Sequence, residues 1–259
     1  MEKLIEILRE FEENRKNAVD DDKWRDKSVE EKYEAIAEWF RPCAEKILRG
    51  GYFLINGKYI IDLGAIELYY HEEDGDIKDY IMYHTNAHSS KSKIYELNDN
   101  KYPYFEFGSF NLHQSGVDIT FENEEKRYRA SFLIRSYRVL RTKDGLYPTN
   151  EDTVYDPHST HIFDDMFYRG ISCNGKATEI VWIPTDKKGG EIDRDTRINV
   201  AIYEKPNVKD DKVYGSKDKI ISEDDYINND KKYIKINGKF YKRDERKWQF
   251  KLKNIIEKQ

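Results

Sequence analysis

YFLINGKYIIDLGAIELYY, residues 52–70, is the stretch whose reading decides the fold. Two runs rich in β-branched and aromatic residues flank Asn56-Gly57, the dipeptide that best supplies the positive-φ positions of a two-residue hairpin turn. Upstream the texture is helical. Leu4, Ile5, Leu8 and Phe11 recur at helical spacing, which predicts one amphipathic helix. Ser28 followed by Glu31 predicts a capping box at the start of a second, whose apolar stripe includes Tyr33, Ile36, Trp39 and Phe40. Pro42 is expected to interrupt or restart that helix, with Cys43 to Leu48 continuing to a stop at Gly50-Gly51.

Downstream of the hairpin, strands are predicted near 105–121 and 128–140, with Asn123-Glu124-Glu125 turning the chain between them, and again over 177–183 and 197–203. Ile236-Asn237-Gly238-Lys239 repeats the turn chemistry of Ile55-Asn56-Gly57-Lys58 and centres a C-terminal hairpin followed by a last strand. Residues 71–103 read as a polar excursion, 142–170 as poorly periodic chain, and 205–231 as a charged surface insertion with almost no core-forming side chains. The expected architecture is α+β in a single domain. Helices over 1–49 pack on a core built by 50–259, where mainly antiparallel strands dominate.

Composition narrows the function. The chain has 259 residues, 38% of them hydrophobic and 37% charged, and its 20 Tyr, 12 Phe and 4 Trp supply the large side chains that a disordered chain lacks. No apolar run approaches the roughly 20 residues a bilayer requires, so no membrane association is expected. Acids interrupt the apolar pattern of MEKLIEILREFEENRK, unlike a secretory signal. Two cysteines, Cys43 and Cys173, make no disulfide framework, and a reduced, cytoplasmic protein is expected. The net charge of −5 opposes a typical nucleic-acid binder. Two segments run against that average: 126–143 holds seven basic residues and no acid, and 231–254 holds ten basic residues against Asp244 and Glu245. They read either as a polarised surface or as solvated strand faces.

The chain has no phosphate-loop, dinucleotide, serine-elbow or paired-cysteine zinc motif. Three groups remain. Glu67 ends an apolar run, and strand alternation sets it on one face with Tyr69, opposite Ile66, Leu68 and Tyr70. A carboxylate beside an aromatic ring can activate water next to a stacked planar ligand, or simply face solvent or an arginine. Arg135 ends the run Ser131 to Ile134, where it either pairs with Glu67 or a phosphate or reaches out to water. Of the histidines, His84 and His113 lie on either side of 85–104 and either converge in a cleft or are ordinary hydrogen-bonded loop or strand histidines. His158-Ser159-Thr160-His161 with Asp164 and Asp165 reads as a polar loop rather than a metal site, so no metal is expected.

In order and spacing these pieces resemble the alkyladenine (methylpurine) DNA glycosylase family. The resemblance rests on Ala44 to Gly50 leading into the hairpin, Glu67-Leu68-Tyr69, Asp79 to His84, Gly108 to His113, Val117-Asp118-Ile119, Phe132 to Ser136, Arg197-Ile198-Asn199-Val200 and Lys247 to Phe250. It covers 42–140 and about 196–254. It implies a curved sheet and a monomer that hydrolyses the N-glycosidic bond of an alkylated or deaminated purine flipped from double-stranded DNA. Glu67 would be the base and Arg135 its orienting partner. Tyr69, His84 and His113 would stack the base beside Asp118, and no cofactor would be needed. Where the family inserts a wedge tyrosine, Gln114 or Ser115 stands here, and His113 and Asp118 replace a Tyr and an Asn. Two alternatives stand beside this reading. One is a hydrolase acting on a modified nucleoside or single-stranded nucleic acid. The other is a non-catalytic binding protein whose tyrosine-rich sheet recruits a partner.

Overall fold

At Asn56 and Gly57 the backbone φ angles are 51° and 65°, both positive, and the strands on either side pair in the register Ile55 with Tyr59. The computed structural model describes residues 2–20, 23–79, 82, 102–141, 154–168, 177–185, 190–198, 200, 233–236, 239–242, 244–253 and 255–257. The architecture is α+β, with N-terminal helices followed by a mostly antiparallel open sheet. Helices α1 (Glu2–Val19), α2 (Lys23–Asp26) and α3 (Val29–Arg49) come first. Then follow β1 (Gly51–Ile55), β2 (Tyr59–Glu72), β3 (Phe110–His113), β4 (Gly116–Thr120), β5 (Tyr128–Arg141), α4 (Ile162–Met166), β6 (Ile180–Pro184) and β7 (Ile192–Asp195). Strands β8 (Tyr233–Ile236), β9 (Lys239–Lys242) and β10 (Gln249–Leu252) close the series.

The sheet is built on the long pair β2–β5, in register from Tyr59 with Arg141 to Glu72 with Tyr128. From β5 it continues through β4 to β3. The other edge of β2 forks: Tyr59 to Ile61 pair with β1, which pairs with β6, while Ala65 to Glu67 pair with β10, which pairs with β7. The β2–β5 register shifts between Leu63 and Ile66, at the fork. Strands β8 and β9 form a separate hairpin around Asn237-Gly238, two residues that lie outside those described.

One face of this sheet is apolar and carries the helices. Ile66, Leu68, Ile119, Phe132, Ile134 and Phe250 share a continuous core with Leu4, Leu8, Phe11, Ile36, Phe40 and Ile47. Phe40 stacks flat on Phe121 and meets Phe250 edge-on. The capping box at Ser28 forms as expected: Glu31 N–H donates to Ser28 Oγ and Ser28 N–H to the Glu31 carboxylate. Pro42 does not interrupt α3, which runs unbroken through it. Core residues stand on both sides of the proline (Ile36 and Phe40 before, Cys43, Ala44 and Ile47 after), and their burial outweighs one missing N–H.

Other departures have equally local causes. The strand expected over 105–121 is two strands, folded back at Gly116, whose φ is 139°. The short helix α4 lies in the stretch read as poorly periodic. The strand expected at 197–203 is absent from the residues described there, and β7 occupies 192–195 instead. Neither Glu67 nor Arg135 ends a strand, for β2 and β5 continue past both. The insertion expected over 205–231 lies outside the described residues. Among those described, no helix is long and apolar enough to cross a membrane.

Candidate functional site

The second face of the sheet carries the polar side chains. Antiparallel partners point to the same side. Register therefore lays Asn111, Asp118, Leu133, Glu67, Gln249 and Asp195 in one transverse row across β3, β4, β5, β2, β10 and β7. The alternation expected around Glu67 holds: Ile66, Leu68 and Tyr70 enter the helical core, while Glu67 and Tyr69 share the polar face.

Glu67 is fully buried. Its Oε1 accepts from the Ile198 N–H at 2.7 Å and from Gln249 Nε2 at 3.3 Å, and lies 3.5 Å from Arg135 Nε. Its Oε2 accepts from the Tyr69 hydroxyl at 3.2 Å. Burial is the strongest influence on this carboxyl and raises its pKa above the usual range, against the opposing pull of Arg135, Ile198 N–H, Arg197 and Tyr69. Burial, seconded by Glu67, also holds the Tyr69 phenol well above its ordinary value, so it stays a neutral donor. The guanidinium of Arg197 lies over the Tyr69 ring, 4.6 Å from its centroid, and occupies one of its faces.

Arg135 reaches the opposite way to Ser159, whose Oγ accepts from Nη1 at 3.1 Å and donates to the Ser115 carbonyl at 2.7 Å. Ser115 N–H in turn donates to His113 Nδ1 at 3.2 Å, and His113 Nε2 stands 3.1 Å from Asp118 Oδ1. Asp118 Oδ2 accepts from Ser131 Oγ at 3.1 Å. Asp118 thus meets His113 and Ser131, with Leu133 between it and Glu67 in the row. Gly116 is needed at this corner, since a Cβ there would stand 2.6 Å from the Ser159 carbonyl oxygen.

Of the expected site residues, Glu67, Tyr69 and Arg135 therefore form one contact group and His113 and Asp118 a second, joined through Ser159 and Ser115. His84 lies outside the described residues. Sequence reasoning missed the groups that enclose Glu67. Arg197 is fully buried and donates to Asp79 at 2.6 Å, and also to Asp244. Arg246 completes this cluster with bonds to Asp244 and packs on Tyr33 and Trp248. Asp244 and Arg197 stand in charged stretches of sequence where nothing singles them out, and nothing local couples positions 79, 197 and 244.

Among the described residues, several cations of the two basic segments are paired with acids. Arg127 pairs with Asp74, Arg129 with Glu73 and Glu122, Arg135 with Glu67 and Arg138 with Asp62. In the last segment Arg246 pairs with Asp244 and Asp79, Lys251 with Glu257, and Lys253 with Glu191 and Asp193. In comparisons with protein-family models, with curated proteins and with solved structures, no match to this chain was found.

Proposed function

We propose that this chain hydrolyses an N-glycosidic bond, releasing an alkylated or deaminated purine from a nucleotide flipped out of double-stranded DNA. The observation that carries the reading is Glu67: a buried carboxyl raised above its usual pKa, with Arg135 at 3.5 Å and an aromatic hydroxyl at 3.2 Å. A raised pKa is what a general base at neutral pH requires. Glu67 accepts a proton from water as its oxygen bonds to the anomeric carbon. The carbon–nitrogen bond breaks and its electron pair leaves with the purine. The Glu67 charge also faces the oxocarbenium-like sugar. The two longest hydrogen bonds to the carboxyl, from Tyr69 and Gln249, are the ones a water would replace. Tyr69 offers a base the face turned away from Arg197, with His113 and Asp118 completing the purine subsite. No step calls for a cofactor.

Two observations favour the other readings. Paired cations release few counterions on binding a duplex, which suits a free modified nucleoside or a single strand better. The complete burial of Glu67 suits a non-catalytic binding protein on the same scaffold. One experiment separates the three. Purine release is measured from a damaged duplex, the matching single strand and the free nucleosides, with the native chain and with Glu67→Gln. Release by the native chain, cut more than about 100-fold by the substitution, supports hydrolysis, and the best substrate decides its form. No release from any of the three leaves the binding reading.

A further inference from the structure

The turn that supplies Ser159 to Arg135 carries a second cluster on its outer side. Asp156 is fixed to β5 by two backbone hydrogen bonds with Tyr137, at 3.1 Å and 2.6 Å. Pro157 follows, and the His158 backbone N–H folds back onto Asp156 Oδ1 at 2.8 Å. His158 Nδ1 then stands 2.9 Å from Oδ1, and His161 Nδ1 stands 3.1 Å from Oδ2. The His161 N–H bonds the His158 carbonyl at 3.0 Å, closing the turn, and the two rings stack with centroids 4.8 Å apart. Two imidazoles thus direct the same nitrogen at one carboxylate, and the three donor atoms lie within 4.8 Å of one another. In the sequence His158 and His161 go with Asp164 and Asp165. In the fold, Asp165 is engaged by the Tyr137 hydroxyl at 2.7 Å, and the acid between the histidines is Asp156.

We propose that Asp156, His158 and His161 form a binding site for a divalent transition metal of the zinc class. An ion held at about 2.0–2.2 Å by two imidazole nitrogens and a carboxylate oxygen sets its donors about 3.3 Å apart. His158 Nδ1 is close to that distance from Oδ1 and His161 Nδ1 from Oδ2, so a small shift of one ring brings both nitrogens to an ion on one oxygen. The ion takes the place of hydrogen between the rings and the carboxylate: each imidazole binds through its Nδ1 lone pair as the neutral tautomer with its proton on Nε2, so a neutral ring loses no net proton. The donor set selects the metal: imidazole nitrogen with one carboxylate suits zinc, nickel or copper, whereas magnesium and calcium need oxygen shells. The rings are more than half exposed, with side-chain accessibilities of 54% and 56%, so they can close on the ion and leave its remaining positions to water. Such an ion braces the turn from which Ser159 holds Arg135.

The probe is Zn²⁺, titrated calorimetrically into the chelator-stripped, untagged full chain. One equivalent is expected, with affinity lowered more than about tenfold by His158→Ala/His161→Ala. Both side chains are exposed, so the variant should keep the native circular dichroism and melting temperature of the metal-free chain. Asp156→Asn should weaken binding as well, and Mg²⁺ should not compete. The proposal is overturned if the native chain shows no saturable Zn²⁺ uptake, or if the double variant binds as tightly as the native chain.

Discussion

Among the described residues, buried charged side chains such as Arg129, Asp62 and Arg197 are compensated by an opposite charge rather than by solvent. Arg197 shows the logic. Its guanidinium is fully buried, bonded to Asp79 and Asp244, and set against the rings of Tyr69 and Trp248. Removing one member of such a cluster costs about 3–5 kcal/mol, because the charges left behind are stranded. His71 is buried in the other sense, as a neutral group. Its Nδ1 accepts the Asp79 N–H at 3.1 Å, and burial pushes its pKa from 6.5 down to about 4. The unfolded chain therefore takes up this proton as pH drops below about 6.5, while the folded chain resists until about 4. Stability from this group is complete above the upper value and is lost through that window. Glu122 works against it, since burial raises its pKa to about 7 and so favours folding on acidification. The two separate in a comparison with His71→Gln, which keeps an acceptor for Asp79 and leaves Glu122 unchanged. The stability difference between native chain and variant, from urea unfolding at pH 7, 6, 5 and 4, should shift steadily in favour of the variant as pH falls. A constant difference would mean that His71 does not titrate in this way.

Helix α3 and the strands differ in how their signals are carried, and Pro42 is the clearest case. The proline leaves the Glu38 carbonyl without its helical N–H, yet the helix holds because its buried stripe continues on both sides. Pro42→Ala should restore that hydrogen bond. An interior proline costs about 3 kcal/mol relative to alanine, of which roughly 1 kcal/mol is offset because proline also restricts the unfolded chain. A gain of about 1–2 kcal/mol in urea unfolding is expected, and a loss would show that the proline is needed for packing. The same contrast explains what was legible. The hairpin at Asn56-Gly57, the Ser28–Glu31 cap and the face alternation of Ile66 to Tyr70 depend on residues within a few positions of each other, and all three read correctly. The break at Pro42 was misread because packing against β2 and β10 overrode a local propensity. The β3–β4 corner was missed because its only strong signal is Gly116, whose need for a bare Cα is set by Ser159.

Across the whole chain, the candidate site was half legible for a related reason. Glu67, Tyr69 and Arg135 stood out because polar groups in apolar runs demand partners. The partners themselves come from 131 and 182 residues further on, in Ile198 and Gln249, and nothing local ties either to Glu67. The same long-range closure unites helices and sheet. Phe11, on the first helix, is fully buried and touches Trp39 and Phe40 of α3, Tyr70 of β2, Phe121 after β4 and Tyr128 of β5, all with ring centroids 5.1–6.3 Å apart. If helices and sheet share one core, truncating this ring weakens both at once. Phe11→Ala should cost about 3–5 kcal/mol, the range for an emptied aromatic core position. Far-UV circular dichroism, dominated by the helices, and near-UV signal or tyrosine fluorescence, which report sheet packing through Tyr70 and Tyr128, should show coincident unfolding in the native chain and move together in the variant. A helical transition that shifts alone, with the sheet signal unmoved, would show that the N-terminal helices melt as an independent unit. The lost ring contacts would then belong to their docking and not to the core itself.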